Sequence, residues 1–346
     1  MINSMRLLSL NFFVLSYLSA QSQESKYQKK NARDSVILHY STLNCNSRSL
    51  IVKDNVLYTA NSNGALYAYD LSEGKSTNLM ENKKFEEMRD IEFVGDTLYG
   101  MQSGSYGVLA RLVDAKFESY IVARKNIWYK VFLDGMDFYN KTGFIMGDPV
   151  EGFFTLTYSQ DGGKNWMPCE GKVAANKGEA GFAASGTNVQ VLNDSTFIFV
   201  SGGLKSRFFK STDKGKTWVY TSLPYLTNES SGGFSIHMLN EKEGVIVGGD
   251  WANPDMNLNT AFFTNDGGEF WENAEKQPRG YRSCVIEAKN AMYAAGTNGI
   301  DISFDKGETW IPFADGNYLA LTADDKHLYA SMLKGRVRVF ELVLRR

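Results

Sequence analysis

The sequence predicts an all-β chain closed into a seven-bladed β-propeller, and three observations carry that prediction. A phrase of the form S/T-x-D-x-G-x-x-W occurs four times, as SQDGGKNW, STDKGKTW, TNDGGEFW and SFDKGETW, beginning at Ser159, Ser211, Thr264 and Ser303. Its aspartates, Asp161, Asp213, Asp266 and Asp305, stand 52, 53 and 39 positions apart, and a period of roughly 40 to 50 residues is the length of one four-stranded blade. The composition, 32 Gly against 6 Pro with 22 Phe and 18 Tyr, suits many short strands joined by glycine turns.

Taken in order, the chain opens on MINSMRLLSLNFFVLSYLSA, with Arg6, an apolar stretch from Leu7 to Leu18 and a small-residue exit at Ser19-Ala20. This predicts a cleavable signal peptide over residues 1–20 and a mature chain that is secreted or periplasmic. The stretch is shorter than the roughly 20 residues a membrane span needs, and no Cys follows the cut to take a lipid anchor. A polar, disordered lead covers 21–34, and a single propeller domain covers 35–346. SVILHYS alternates as a lone strand. SLIVKDNVLYTANSNGALYAYDL and DIEFVGDTLYGMQSGSYGVLARLVD each read as strands broken by DN, NG, GD or Gly-rich turns, giving two blades without the repeated phrase. Four blades with it follow, and the tail from Tyr318 supplies only three more strands. SVILHYS fills that vacancy, because strands from both termini in one blade remove an open sheet edge. Six blades, with one merged, is the alternative count.

Each repeated phrase is a hairpin tip. The Asp carboxylate accepts hydrogen bonds from backbone amides just ahead of it, and Gly takes positive φ at little cost. The Trp that follows, at 166, 218, 271 and 310, folds back as a peg on the sheet. These phrases resemble the Asp-box, or BNR-type, repeat. DGMDFYNKTGFIMGDPVEGFFTLTYSQDGGKNW and FSIHMLNEKEGVIVGGDWANPDMNLNTAFFTNDGGEFW, with GEAGFAASGT, SGG and GYRS, are similar to repeats of the photosystem II assembly and stability factor propellers and their bacterial relatives. The resemblance runs from Lys130 to Phe313. It implies that Asp161, Trp166, Asp213, Trp218, Asp266, Trp271, Asp305 and Trp310 are structural, at outer hairpins away from the channel, and that the chain serves as a scaffold for a protein partner.

Composition removes several function classes. A chain of 346 residues with net charge −2 and no basic run gives no reason to expect nucleic acid binding. Three cysteines, Cys45, Cys169 and Cys284, show no CxxC spacing, and His39, His237 and His327 stand far apart. No metal site and no cofactor is therefore expected. Relatives of this kind are sometimes labelled oxidoreductases, but no GxGxxG follows a strand here.

Chemistry in a propeller belongs at the funnel, where inner strands and their loops converge. The residues that the pattern places there are Asp134, Asp137, Asp148, Glu179, Asp250, Trp251, Tyr281 and Arg282. Carboxylates with an Arg around one cavity can form an acid/base pair, a cation site or, as a group, a recognition surface; the same residues also serve as turn caps and blade-to-blade ion pairs. No R-I-P motif precedes the first phrase, and the late QPRGYR offers only Arg279, Arg282 and Tyr281, which argues against a sialidase-like reading. Two functions follow from this. One is an exported, monomeric, non-catalytic scaffold that binds a protein partner. The other is a secreted hydrolase or lyase acting on a polysaccharide, which needs a carboxylate pair about 5 to 9.5 Å apart in an open cleft.

Overall fold

Seven antiparallel sheets arranged as a propeller hold the strands of the computed structural model, which describes residues 35–40, 44–80, 85–104, 106–113, 116–121 and 131–342. The signal peptide and polar lead expected over 1–34 lie outside the described residues. Blade 1 comprises Ser47–Lys53, Val56–Asn61, Leu66–Asp70 and Lys75–Asn78; blade 2 comprises Glu87–Val94, Thr97–Ser103, Val108–Val113 and Lys116–Ile121. Blades 3 to 6 have inner strands Leu133–Tyr139, Val189–Val191, Ser231–Met238 and Cys284–Ala288. Blade 5 is widened by two short strands, Glu179–Ala180 and Gly202–Gly203, that reach it from the segments around blade 4. In blade 7, Leu321–Ala323, His327–Met332 and Arg336–Glu341 come from the tail. The fourth strand is Val36–His39, paired with 336–339. The count is seven, the last blade is shared between the termini, and the six-bladed alternative is excluded.

Because every strand pair is antiparallel, each blade presents its connections alternately at two faces. The inner strands begin at one face, which also carries the loops between second and third strands. The four repeated turns join third to fourth strands and therefore lie at the opposite face. Their geometry is uniform. Ser159 Oγ donates to Asp161 Oδ1 (2.9 Å), which also accepts the amides of Lys164 and Asn165 (3.0 Å each), while the Gly163 amide donates back to Ser159 Oγ. Asp213 and Asp305 repeat the pattern. Gly163 and Gly268, at φ 81° and 90°, sit where only glycine is unstrained.

The tryptophans pack sideways against neighbouring rings. Trp166 meets Phe138 edge-on at 5.6 Å and Trp271 meets Phe208 at 5.2 Å, while Trp310, 1% exposed, donates to the Gly307 carbonyl. Phe rings fill the interface of blades 3 and 4, with Phe144 stacked on Phe197 at 4.9 Å and Phe199 on Phe209 at 4.3 Å. Edge and offset ring pairs of this kind add about 0.5–1.5 kcal/mol beyond burial alone. All three cysteines are buried thiols.

Candidate functional site

An inner strand of a propeller is a sheet edge, so its amides need partners. Here the preceding blade supplies several of them. Asp90 of blade 2 accepts the Met136 amide of blade 3 (2.7 Å), Asp137 of blade 3 accepts Val191 of blade 4 (2.6 Å), and Gln190 of blade 4 accepts Met238 of blade 5 (2.7 Å). Ser235 of blade 5 does the same for Val285 of blade 6 (2.8 Å). This belt explains why polar side chains occur along strands that otherwise face a core.

At the mouth of the channel, four inner strands carry a bulge at matching register. The extra residues are Arg48 in blade 1, Arg89 in blade 2, Asp134 in blade 3 and Phe234 in blade 5. A bulge re-aims one side chain out of the ladder, and these four mark the rim of the channel. The segment from Gly178 to Thr187, between blades 3 and 4, crosses this rim. Its Gly181 amide donates to Asp148 Oδ1 (2.9 Å), its Ala183 carbonyl accepts from Arg89, and Ser185 Oγ donates to the Ser283 carbonyl of blade 6 (2.7 Å). Phe182 stacks on Phe234 at 4.2 Å, and Phe234 meets Tyr281 edge-on at 4.8 Å. A Cβ at Gly186, φ 76°, would collide with the Asp90 carboxylate, so the close approach of this segment depends on glycine.

The eight residues singled out in the sequence fall into distinct environments. Glu179 is buried in a bidentate pair with Arg207 (2.8 and 2.6 Å) and takes further bonds from Ser201 and Asn176. Burial would raise its carboxyl, but Arg207 and these donors outweigh it and hold it below the usual range. Arg282, fully buried, pairs with Asp301 and donates to Asn298 Oδ1 (2.8 Å). Asp250 caps its own turn through Ser230, Asn228, Asn253 and the Ala252 amide. Trp251, next along, is 56% exposed. The structure therefore brings Glu179 to Arg207 and Arg282 to Asp301, and does not bring Glu179, Asp250 and Arg282 together.

Asp134, Asp137 and Asp148 form a separate, acidic group on blade 3. Burial pushes Asp137 and Asp148 up to about 6, and it lifts Asp134 well above the usual range with help from the Asp148 charge. Asp134 is 1% exposed, and neither of its oxygens makes a hydrogen bond of normal geometry. Two blade 2 carboxyls that the sequence reading passed over join them: burial raises Asp90 to about 7 and raises Glu92 well above the usual range. Tyr281 is buried against Phe234, and burial raises its phenol.

Arg48 and Arg89 were also passed over. Arg89 pairs with Glu87 (2.8 Å), and its guanidinium sits 5.9 Å from the centre of the Phe132 ring. Arg48 is half-buried, and its Nε has no hydrogen-bond partner. Burial, and then the charge of Arg89, lower its pKa, while Tyr281 and Glu87 oppose them. The only sequence signal was an Arg at the start of the inner strands of blades 1 and 2, in SRS and MRD.

No family model matches the chain, and no curated protein matches it. Solved structures share its architecture. A catalytically inactive virginiamycin B lyase from Staphylococcus aureus, with quinupristin, superimposes with a TM-score of 0.65 at 10% identity, covering 90% of this chain and 99% of that one. The WD40 β-propeller domain of Doa1 gives 0.61 at 8% identity, covering 89% and 98%. The computationally designed Ika8 protein gives 0.55 at 9%, covering 88% and 99%. At such identities the likeness shows the fold alone, and one propeller fold serves enzymes and binding modules alike.

Proposed function

We propose that this chain is an exported, non-catalytic propeller of the Asp-box, assembly-factor type, and that it binds a protein partner through the face around its channel mouth. The observation that carries the reading is the state of the candidate carboxylates. Glu179 is neutralised by Arg207, Asp250 is spent on a turn, and Asp137 and Asp148 accept amides of adjoining segments. Asp134, beside the Asp148 charge, is buried at 1% exposure, so none of the five stands in an open cleft beside a second one, as glycoside cleavage requires. The same face carries Trp251, Met256 and Leu258, exposed by 56%, 39% and 56%, on one loop of blade 5, and an exposed aromatic with aliphatic neighbours suits a protein surface. Export rests on the amino-terminal residue pattern.

The test uses the mature chain, residues 21–346. We expect no turnover of an acidic and neutral polysaccharide panel, and stoichiometric capture of one exported protein whose affinity falls at least ten-fold with Trp251→Ala and Leu258→Asp combined. Release of reducing ends or unsaturated sugars from any polysaccharide would sink the reading in favour of a hydrolase or lyase. Capture unaffected by the double substitution would move the interface to another face.

A further inference from the structure

We propose that Arg48 and Arg89, with the Tyr281 hydroxyl beside them, form a carboxylate site at the channel mouth that takes an acidic side chain of a bound peptide. The inference rests on the partner-binding reading above and names what that partner presents. Both arginines are the bulge residues of adjacent inner strands, so the fold itself turns them to the rim rather than into a ladder. Arg89 is held in place by Glu87 and by the Ala183 carbonyl. Glu87 pairs with Arg89 and its charge also acts on Arg48, and Asp134 lies within electrostatic reach of Arg89, but Arg48 itself has no ion-pair partner among the described residues. The Nε atoms of both arginines are buried without a hydrogen bond. A half-desolvated guanidinium with no ion-pair partner is costly unless something from outside completes it. Its planar fork matches a carboxylate in bidentate fashion.

The surroundings favour a peptide over a uronate. The aromatic faces at the mouth are already occupied: Phe182 lies flat on Phe234, Phe234 meets Tyr281, and Phe132 lies beneath Arg89. Exposed apolar groups on the same face include those of the Trp251–Leu258 loop, which is tied to the mouth by the hydrogen bond from the Tyr281 amide to the Pro254 carbonyl (2.9 Å). A peptide lying from the arginines toward that loop places a carboxylate on Arg48 and apolar side chains on Trp251 and Leu258.

The test is fluorescence anisotropy of the mature chain with two libraries of dye-labelled heptapeptides, flanks randomised, one with a central Glu and one with a central Gln. Oligogalacturonate serves as a separate probe. The expected result is selection from the Glu library only, with affinity reduced at least ten-fold by Arg48→Gln, partly retained by Arg48→Lys and reduced less by Tyr281→Phe. Because Arg48 makes no internal ion pair and its half-desolvated charge is costly, Arg48→Gln should melt no lower than the parent. If Glu and Gln peptides bind alike and only Trp251→Ala weakens them, the carboxylate site is overturned while the partner-binding face stands. Binding of oligogalacturonate, lost in Arg48→Gln, with no peptide selected, replaces the peptide by a glycan. Failure of every probe overturns the site.

Discussion

Asp301→Asn is the sharpest test of whether Arg282 is architecture. Asp301, at 0% exposure, accepts Arg282 Nε (2.9 Å) and Nη2, together with Arg279 Nε (2.8 Å) and the Arg279 amide (3.0 Å). Neutralising it leaves the Arg282 guanidinium, also at 0% exposure, with only neutral acceptors, the Tyr281 carbonyl, Asn298 and the new amide oxygen, and no counter-charge. An uncompensated buried charge of this kind costs about 3–5 kcal/mol. For a domain of about 300 residues, an unfolding entropy near 2.1 cal/mol/K per residue converts this to a fall of about 5–8 °C in Tm. The assay is differential scanning calorimetry of the parent, Asp301→Asn, and the double variant Asp301→Asn with Arg282→Met. The double variant removes the stranded charge and should be more stable than the single one. A single-variant shift under about 2 °C, or a double variant worse than the single, would refute the assignment.

The remaining predictions concern pH, packing and closure. Asp90, Asp137 and Asp148 are pushed up to about 7, 6 and 6, so the folded state holds more protons than the unfolded one between about pH 4 and 7. The sign follows: stability rises as pH falls from 8 to 5, opposed below about 6.5 by His237, which burial pushes down to about 4. Urea midpoints across pH 8 to 5 check this, with Asp90→Asn flattening the part above 6.5. Trp310→Ala, at a site 1% exposed, should cost about 3–5 kcal/mol in urea denaturation and leave peptide affinity unchanged. Removing residues 35–40 uncovers the edge strand Arg336–Glu341 and should produce concentration-dependent self-association in sedimentation velocity.

What could be read from the sequence was whatever is written locally. The four turns are legible because each is closed by its own Ser or Thr, Asp and Gly within five residues. The shared seventh blade is legible because the tail runs out of strands. The partners of the site residues are not legible in this way. Glu179 meets Arg207 across 28 positions and Arg282 meets Asp301 across 19, and neither pair has a linear signature. The crossing segment 178–187 was visible as a motif, yet its place over the channel depends on contacts with blades 2, 3, 5 and 6. Arg48 and Arg89 were invisible for another reason. They lie in two of the three blades without the repeated turn, and only the bulge register shows that they occupy one position.

Perturbed carboxyls near a channel ordinarily point to catalysis, but in this fold a simpler demand explains part of them. Seven inner strands expose seven rows of amides toward the axis. A side chain reaching over from the preceding blade is the shortest way to satisfy one of them. Asp90 and Asp137 do this for Met136 and Val191, and uncharged Gln190 and Ser235 do the same for Met238 and Val285. Neutral residues fill the same role in blades 4 and 5, so a polar side chain at this position is explained by the strand's need for an acceptor. Arg48 meets no such demand. It caps no amide and pairs with no internal carboxylate, yet the bulge turns it to the rim beside Arg89. Of the polar groups at the mouth, those already satisfied by the fold explain the architecture, and Arg48, half-buried without an ion pair, is the one on which the proposed carboxylate site rests.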